Sequence, residues 1–372
     1  MRTGKLQLRT IGLTALALLA PVTALLAQEE PAAFSIQEHS GAHPDSGNWE
    51  LAISGQWPTR CPPTLENLTL NEHDLRIDAR AVLSLCERGA TPFSVELNPA
   101  LALEHATLEP GIYRVSFFAA DGAQASPHLR AFALIDHSAR NAPTITPETG
   151  FWWSSNTADA DAARTTLSLE LQDGQLSVAL LSYDDLGQPV WYFGAAPYAG
   201  HIAHVPLLRL AGGSAPFAPV SSAPHGDAVL TLDLEFASGA HASAWLSRTH
   251  GGDDASLQLQ TLDLVRLPLA DSTDGHAWQG EWVLLADAEE TTPQRLHFDR
   301  YRALDTEHFQ LEDAAANVVL LCSRKSAQPE WPPAACSLRQ ADGTELAFDS
   351  VALARMDGQN NQSSVHLLRV SR

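Results

Sequence analysis

Leu167, Leu169 and Leu171 alternate with Ser168, Glu170 and Gln172, and Leu230, Leu232, Leu234 and Phe236 alternate with Thr231, Asp233 and Glu235. A period of two puts alternate side chains on opposite faces of an extended strand, one face apolar and the other wet. Half-buried strands of this kind belong to antiparallel sheets. Short alternating runs recur along the whole chain, and a helical period is almost absent. Asp121-Gly122, Asp173-Gly174 and Asp342-Gly343 stand beside such runs, and Asp-Gly favours the positive φ values of a tight hairpin. The expectation is an all-β chain.

Pro, Gly and polar stretches divide it. A flexible arm is expected over 28–47 and a β-sandwich over 48–137. A linker follows at 138–149, with Pro143 and Pro147. An aromatic-rich antiparallel β domain is expected over 150–268, a second linker over 269–277, and a C-terminal disulfide-containing β domain over 278–372. In the first domain, Leu108, Pro110, Gly111 and Tyr113 form an L-x-P-G-x-Y pattern. It resembles the tyrosine corner of Greek-key sandwiches, in which the phenol hydrogen-bonds back across the turn. About seven short strands in roughly 100 residues fit an immunoglobulin-like sandwich. The fold expected is that sandwich followed by two antiparallel, meander- or barrel-like β domains.

The first 27 residues carry Arg2, Lys5 and Arg9, no acid, and an apolar run from Ile11 to Ala27. This is the form of a signal peptide, with cleavage after Ala27 or Ala24. An uncleaved anchor is the rival, though the run falls short of the ~20 residues a spanning helix needs. Gln28 stands where a lipoprotein would have its Cys. No later stretch is long and apolar enough to span a bilayer. An exported location, periplasmic or extracellular, follows. The chain has 23 basic and 44 acidic residues and a net charge of −21. Such a surface repels phosphate backbones and anionic lipid, so nucleic acid is not an expected partner. Acid excess also keeps an exported protein soluble.

Four cysteines in an oxidising compartment read as two disulfides. Of the three possible pairings, the one joining sequence neighbours is expected: Cys61–Cys86 and Cys322–Cys336. Neither C-x-x-C nor a histidine cluster accompanies them, which argues against a metal or redox site.

The aromatic residues concentrate between Gly150 and Ala195. Tyr183 to Trp191 reads as a hairpin with its turn at Asp184–Pro189, where Gly187 supplies a left-handed residue. Period two puts Trp191 and Phe193 on one face and Val190 and Tyr192 on the other, and Trp152 and Trp153 point to opposite faces. These rings either fill a core or form a binding surface made of Trp152, Trp153, Trp191 and Tyr192, with Asp184, Asp185 and Gly187 in the turn. Gly150, Trp152, Trp153, Tyr183, Asp184, Gly187, Pro189, Trp191 and Tyr192 give the order G-x-W-W … Y-D-x-x-G-x-P-x-W-Y. This order is similar to a module of exported proteins in environmental and plant-associated bacteria. In place of that module's Gly-rich turn the chain has SSNTADADAART. The resemblance implies an exported β module and supplies no chemistry. G-x-W itself recurs at Gly47–Trp49, Gly55–Trp57, Gly150–Trp152 and Gly280–Trp282, and resembles the first strand of small ligand-holding barrels.

No G-x-S-x-G elbow, H-E-x-x-H motif or phosphate-cradling glycine loop is present, so no catalytic residue, metal or cofactor is expected. His201 and His204, three apart on a strand, face opposite ways. Adjacent acids such as Asp253–Asp254 and Glu289–Glu290 read as solvated turns. The expected role is a non-catalytic envelope protein that binds a polysaccharide, a peptide or another envelope protein. A hydrolase with carboxylates drawn from several strands, and a structural or assembly module, are the alternatives.

Overall fold

The computed structural model describes residues 34–38, 49–81, 86–103, 108–122, 125–138, 144–154, 165–184, 186–198, 200–211, 225–250, 256–267, 275–287, 292–323, 332–360 and 363–371. Its first seven strands are β1 (Phe34–Glu38), β2 (Leu51–Thr59), β3 (Thr64–Asn71), β4 (Asp74–Ala81), β5 (Arg88–Leu97), β6 (Gly111–Asp121) and β7 (His128–His137). They form two sheets, in the orders β1-β2-β5 and β3-β4-β6-β7, which share one core. Leu51, Ile53 and Trp57 meet Leu75, Ile77, Val115 and Phe117 in it. Tyr113 is buried, and its hydroxyl donates to the Glu109 carbonyl at 2.7 Å, which is the corner bond that the L-x-P-G-x-Y pattern anticipates.

Two expectations for this region change. Residues 34–38 are not part of a loose arm: Phe34 and Ile36 are buried on a strand paired with β2. Phe34 packs edge-on against Trp57 and Phe93, and this ring contact orders a strand too short to stand out among the neighbouring His, Pro and Gly. Val82–Cys86, expected as a strand, lies outside the described residues except for Cys86, which is in none. The Cys61–Cys86 disulfide is formed as expected. It staples the end of β2 to the start of β5, beside a bond from Arg60 N–H to the Glu87 carbonyl.

Strands β8 (Gly150–Ser154), β9 (Thr166–Gln172), β10 (Gln175–Tyr183), β11 (Pro189–Pro197), β12 (Ile202–Ala211), β13 (His225–Phe236), β14 (His241–His250) and β15 (Ser256–Arg266) close into an antiparallel up-and-down barrel. Asp173 and Gly174 both take positive φ in the two-residue turn between β9 and β10, as their sequence predicts. Inward leucines, valines and Phe236 fill the interior around Trp152, the packing usual for a barrel of eight strands.

The third body has β16 (Gly280–Ala286), β17 (Gln294–Phe298), β18 (Arg300–Ala303), β19 (His308–Asp313), β20 (Val318–Ser323), β21 (Ala335–Arg339), β22 (Glu345–Val351), β23 (Arg355–Asn360) and β24 (Ser363–Ser371). The sheet order runs from β17 through β16 and β24 round to β18. Only Asp299 separates β17 from β18, so the two sheet edges are one bent stretch of chain and the barrel is nearly closed. His297 N–H donates to Asp313 Oδ2 at 2.7 Å across the gap. Cys322 and Cys336 face each other on β20 and β21 and form the second disulfide.

Both barrels join their first strand to their last by the same device. Trp152 on β8 stands opposite Arg266 on β15, and Trp282 on β16 stands opposite Arg369 on β24. Each Trp is fully buried, and its indole N–H donates to the carbonyl four residues earlier, Glu148 at 3.0 Å and Trp278 at 2.8 Å. Each Arg then donates to the chain leading into the first strand, at Thr149 and Gln279. A Cβ on Gly150, at φ +120°, would lie 2.3 Å from the Arg266 guanidinium, so G-x-W here is a packing requirement. Of the four G-x-W sites, Gly150–Trp152 and Gly280–Trp282 open barrels, Gly55–Trp57 lies within β2, and Gly47 is outside the described residues.

The stretch 144–149 is packed between bodies. Glu148 N–H donates to the Gly239 carbonyl of the first barrel at 2.8 Å, and its Oε1 accepts from Ala354 N–H of the second at 2.7 Å. Burial raises the Glu148 carboxyl above its ordinary value, against the lowering by the Ala354 and Leu353 N–H groups and the Arg266 charge.

Trp152→Phe and Trp282→Phe keep an aromatic ring and orphan the buried acceptor; each is expected to lower the unfolding free energy by about 1–3 kcal/mol in urea titration. A raised carboxyl contributes stability below its unfolded pKa and loses it as pH rises through the folded one. Glu148→Gln, which mimics the protonated form, is therefore expected to melt higher than the unsubstituted chain at pH 8 and no higher at pH 4 in paired thermal scans.

Candidate functional site

Alternation along β8 to β12 sorts the aromatic residues into two groups. Trp152 and Tyr192 face the barrel interior: Trp152 is 0 % exposed and Tyr192 packs against the core. Trp153 and Trp191 face outward, Trp153 half-buried and Trp191 63 % exposed. The four rings of the sequence-based site therefore do not share a surface. Period two had already separated Trp152 from Trp153 and Trp191 from Tyr192; which face meets solvent depends on barrel closure.

The outward set extends further than the sequence grouping. Strand register puts Phe151, Ser168, Ala179, Phe193 and Leu208 in one row across β8, β9, β10, β11 and β12. A second row holds Trp153, Thr166, Leu181 and Trp191. Neighbouring strands are about 4.8 Å apart, so five strands make a row about 20 Å long. Phe151, Phe193 and Tyr183 are exposed by 41 %, 44 % and 58 %. Trp191, Phe193 and Tyr183 stand close together on the β10–β11 hairpin, an exposed apolar patch of the kind that marks an interaction site, while Phe151 and Trp153 lie three strands round the barrel. Phe193 and Tyr183 were within reach of the sequence, because both share the parity of Trp191 in the same hairpin. Phe151 lies in the same register row three strands round the barrel, a relation local pattern does not reveal.

The hairpin tip is held by Asp184. Its Oδ1 accepts from Leu186 N–H at 3.0 Å and Gln188 N–H at 2.9 Å, and Oδ2 lies 3.6 Å from Arg209 Nη2. Gly187, at φ +72°, closes the turn by donating to the Asp184 carbonyl at 2.8 Å. Asp184 and Gly187 thus shape the turn, and Leu186 stands at its tip, 84 % exposed. Asp185 lies outside the described residues, as do 212–224, Asp253–Asp254 and Glu289–Glu290.

Away from the patch, His204 on β12 points outward and its Nδ1 lies 2.7 Å from Oδ1 of the buried Asp233. That hydrogen bond raises the imidazole above its usual value, against the lowering by burial. His201 precedes the strand, so the two histidines do not share it. Among the described residues no group of three or more His, Cys, Asp or Glu could hold a metal ion, and no helix is long and apolar enough to cross a membrane.

Comparison with known proteins finds no family model that matches the chain and no similar curated protein. The two disulfides suit an oxidising compartment.

Acrylamide quenching separates the two groups of rings. Trp191→Phe is expected to remove a readily quenched, red-shifted component of the emission, whereas Trp152→Phe leaves that component in place. Unchanged quenching in Trp191→Phe would show that this ring is covered.

Proposed function

We propose that the protein is an exported, non-catalytic binding protein of the cell envelope, and that the outer aromatic face of the first barrel grips a neutral polysaccharide. The observation that carries this reading is the cluster of exposed rings Trp191, Phe193 and Tyr183 on the β10–β11 hairpin. The face of a pyranose ring presents C–H groups, which suit the negative π-face of an aromatic ring. A net charge of −21 disfavours anionic polymers and leaves neutral ones. The signal-like N-terminus and the resemblance of residues 150–195 to exported bacterial modules support export.

Affinity electrophoresis in gels containing neutral glucans, xylans or mannans tests the reading. Retardation in one of these gels is expected, and Trp191→Ala should weaken it about tenfold or more, in line with loss of a central aromatic contact. The melting temperature should stay unchanged, because Trp191 is on the surface. Retardation that survives Trp191→Ala and Phe193→Ala would overturn the site. Release of reducing ends from a retarding glycan would replace binding with the hydrolase reading. Concentration-dependent mass in light scattering, with no retardation, would replace it with the assembly reading.

A further inference from the structure

The first barrel has no sheet edge, and the two edges of the second are joined through Asp299. The sandwich keeps its edges. In the β1-β2-β5 sheet, β1 is five residues long and packs against β7. β5 carries Pro92, which has no N–H to offer a further strand. In the β3-β4-β6-β7 sheet, β7 packs against β1 and β15. Among the described residues this leaves β3, an eight-residue strand paired in its sheet with β4 alone. It contains no Pro, Lys or Arg, residues that commonly guard an edge. A bulge between Leu65 and Asn67 sets the start of its regular stretch, Asn67–Asn71.

That stretch reads Asn-Leu-Thr-Leu-Asn, the same in both directions. An antiparallel neighbour runs in the opposite direction, so a second copy of the strand matches it residue for residue. Thr69 stands opposite Thr69, Leu68 opposite Leu70, and Asn67 opposite Asn71. Opposed residues share a face of the sheet. Leu68 and Leu70 pack against the sandwich core and are still only half-buried, whereas Asn67, Thr69 and Asn71 are exposed. The backbone matches as well. The turn Glu72–His73 has two residues, which makes Asn71 and Asp74 a hydrogen-bonded pair, and Thr69 with Arg76 and Asn67 with Asp78 repeat it. Leu68 and Leu70 therefore aim their N–H and C=O groups away from β4. A net charge of −21 sets two copies against each other, but these residues carry none of it. The acid beside them on the strand, Glu66, is held by Arg80 Nε at 2.9 Å. Glu66 and Glu72 fall opposite each other at the ends of the match and limit pairing to Asn67–Asn71.

We propose that β3 is a self-association edge, where two copies of the chain pair antiparallel through Asn67–Asn71 about a two-fold axis at Thr69. Each Leu68 exchanges both N–H···O bonds with Leu70 of the second copy. The two four-stranded sheets become one, and the leucines extend the core across the axis. Thr69 meets Thr69 on the outer face, a favourable cross-strand pair. A contact that uses the same patch on both copies closes on itself, so assembly stops at a dimer. The inference stands apart from the glycan reading, because β3 and the aromatic face belong to different bodies.

Sedimentation velocity of the full chain over a concentration series tests this. The mass is expected to rise to twice that of one chain and no further, and added salt should favour the rise by screening the repulsion between acidic copies. Thr69→Lys sets like charges opposite each other on the axis and should weaken association about tenfold or more. Thr69→Asp should do the same, and mixing the two variants should restore the double mass. Ser94→Lys, at an exposed position of β5, should leave association unchanged. Hydrogen exchange on the unsubstituted chain keeps the test decisive if the Thr69 variants fold poorly. The Leu68 and Leu70 amides should exchange freely in dilute solution and become protected at high concentration, while the Thr69 amide, bonded to β4, is protected at both. A single-chain mass held up to about 1 mM would overturn the proposal. So would a dimer that both Thr69 variants leave intact, a mixture of the two that stays monomeric, equal weakening by Ser94→Lys, growth beyond two copies, or protection that does not reach Leu68 and Leu70.

Discussion

Each barrel depends on one contact between its first strand and its last. A buried Trp on the first strand anchors its indole N–H to the chain entering that strand, and an Arg on the last strand binds the same entering chain. In the first barrel the contact lies where the closing strands β8 and β15 pair, and in the second it joins β16 to β24 within a sheet whose edges are β17 and β18. Closure removes the edge along which antiparallel sheets join other chains, so a protein built almost entirely of strands can still present a side-chain surface. The outer rows around Trp191 and Phe193 exist because closure fixes which parity faces solvent.

Local signals in the sequence carried much of this. Alternation at Leu167–Leu171 and Leu230–Phe236, the Asp173–Gly174 turn and the Tyr113 corner all act over a few residues, and the structure follows them. The disulfides follow from proximity along the chain. What stayed hidden was set by distance. The pairing of Arg266 with Trp152 depends on register summed over eight strands. Phe34 and Ile36 form a strand only because Trp57 and Phe93 are there to cover the ring.

The candidate site divides in the same way. The parity of the hairpin rings was legible, including the opposition of Trp152 to Trp153. Their burial was not, since inside and outside are properties of the closed barrel. Asp184 could be placed in a turn, but its capture by two backbone N–H groups depends on the exact bend at Gly187.

The Trp–Arg closure also sets a time order. A chain made from its N-terminus delivers β8 well before β15, and Arg266 lies 117 residues beyond Thr149, the residue whose carbonyl it finally binds. Until Arg266 arrives, Trp152 and the inward leucines of the early strands have no closed wall around them, and β8 and the growing end of the sheet remain open edges. The same waiting period begins again at Trp282 for the second barrel. Twice during its synthesis, therefore, this chain is a sticky half-barrel, and fast arrival of the closing strand or a holdase keeps it from clumping on the way to its folded state.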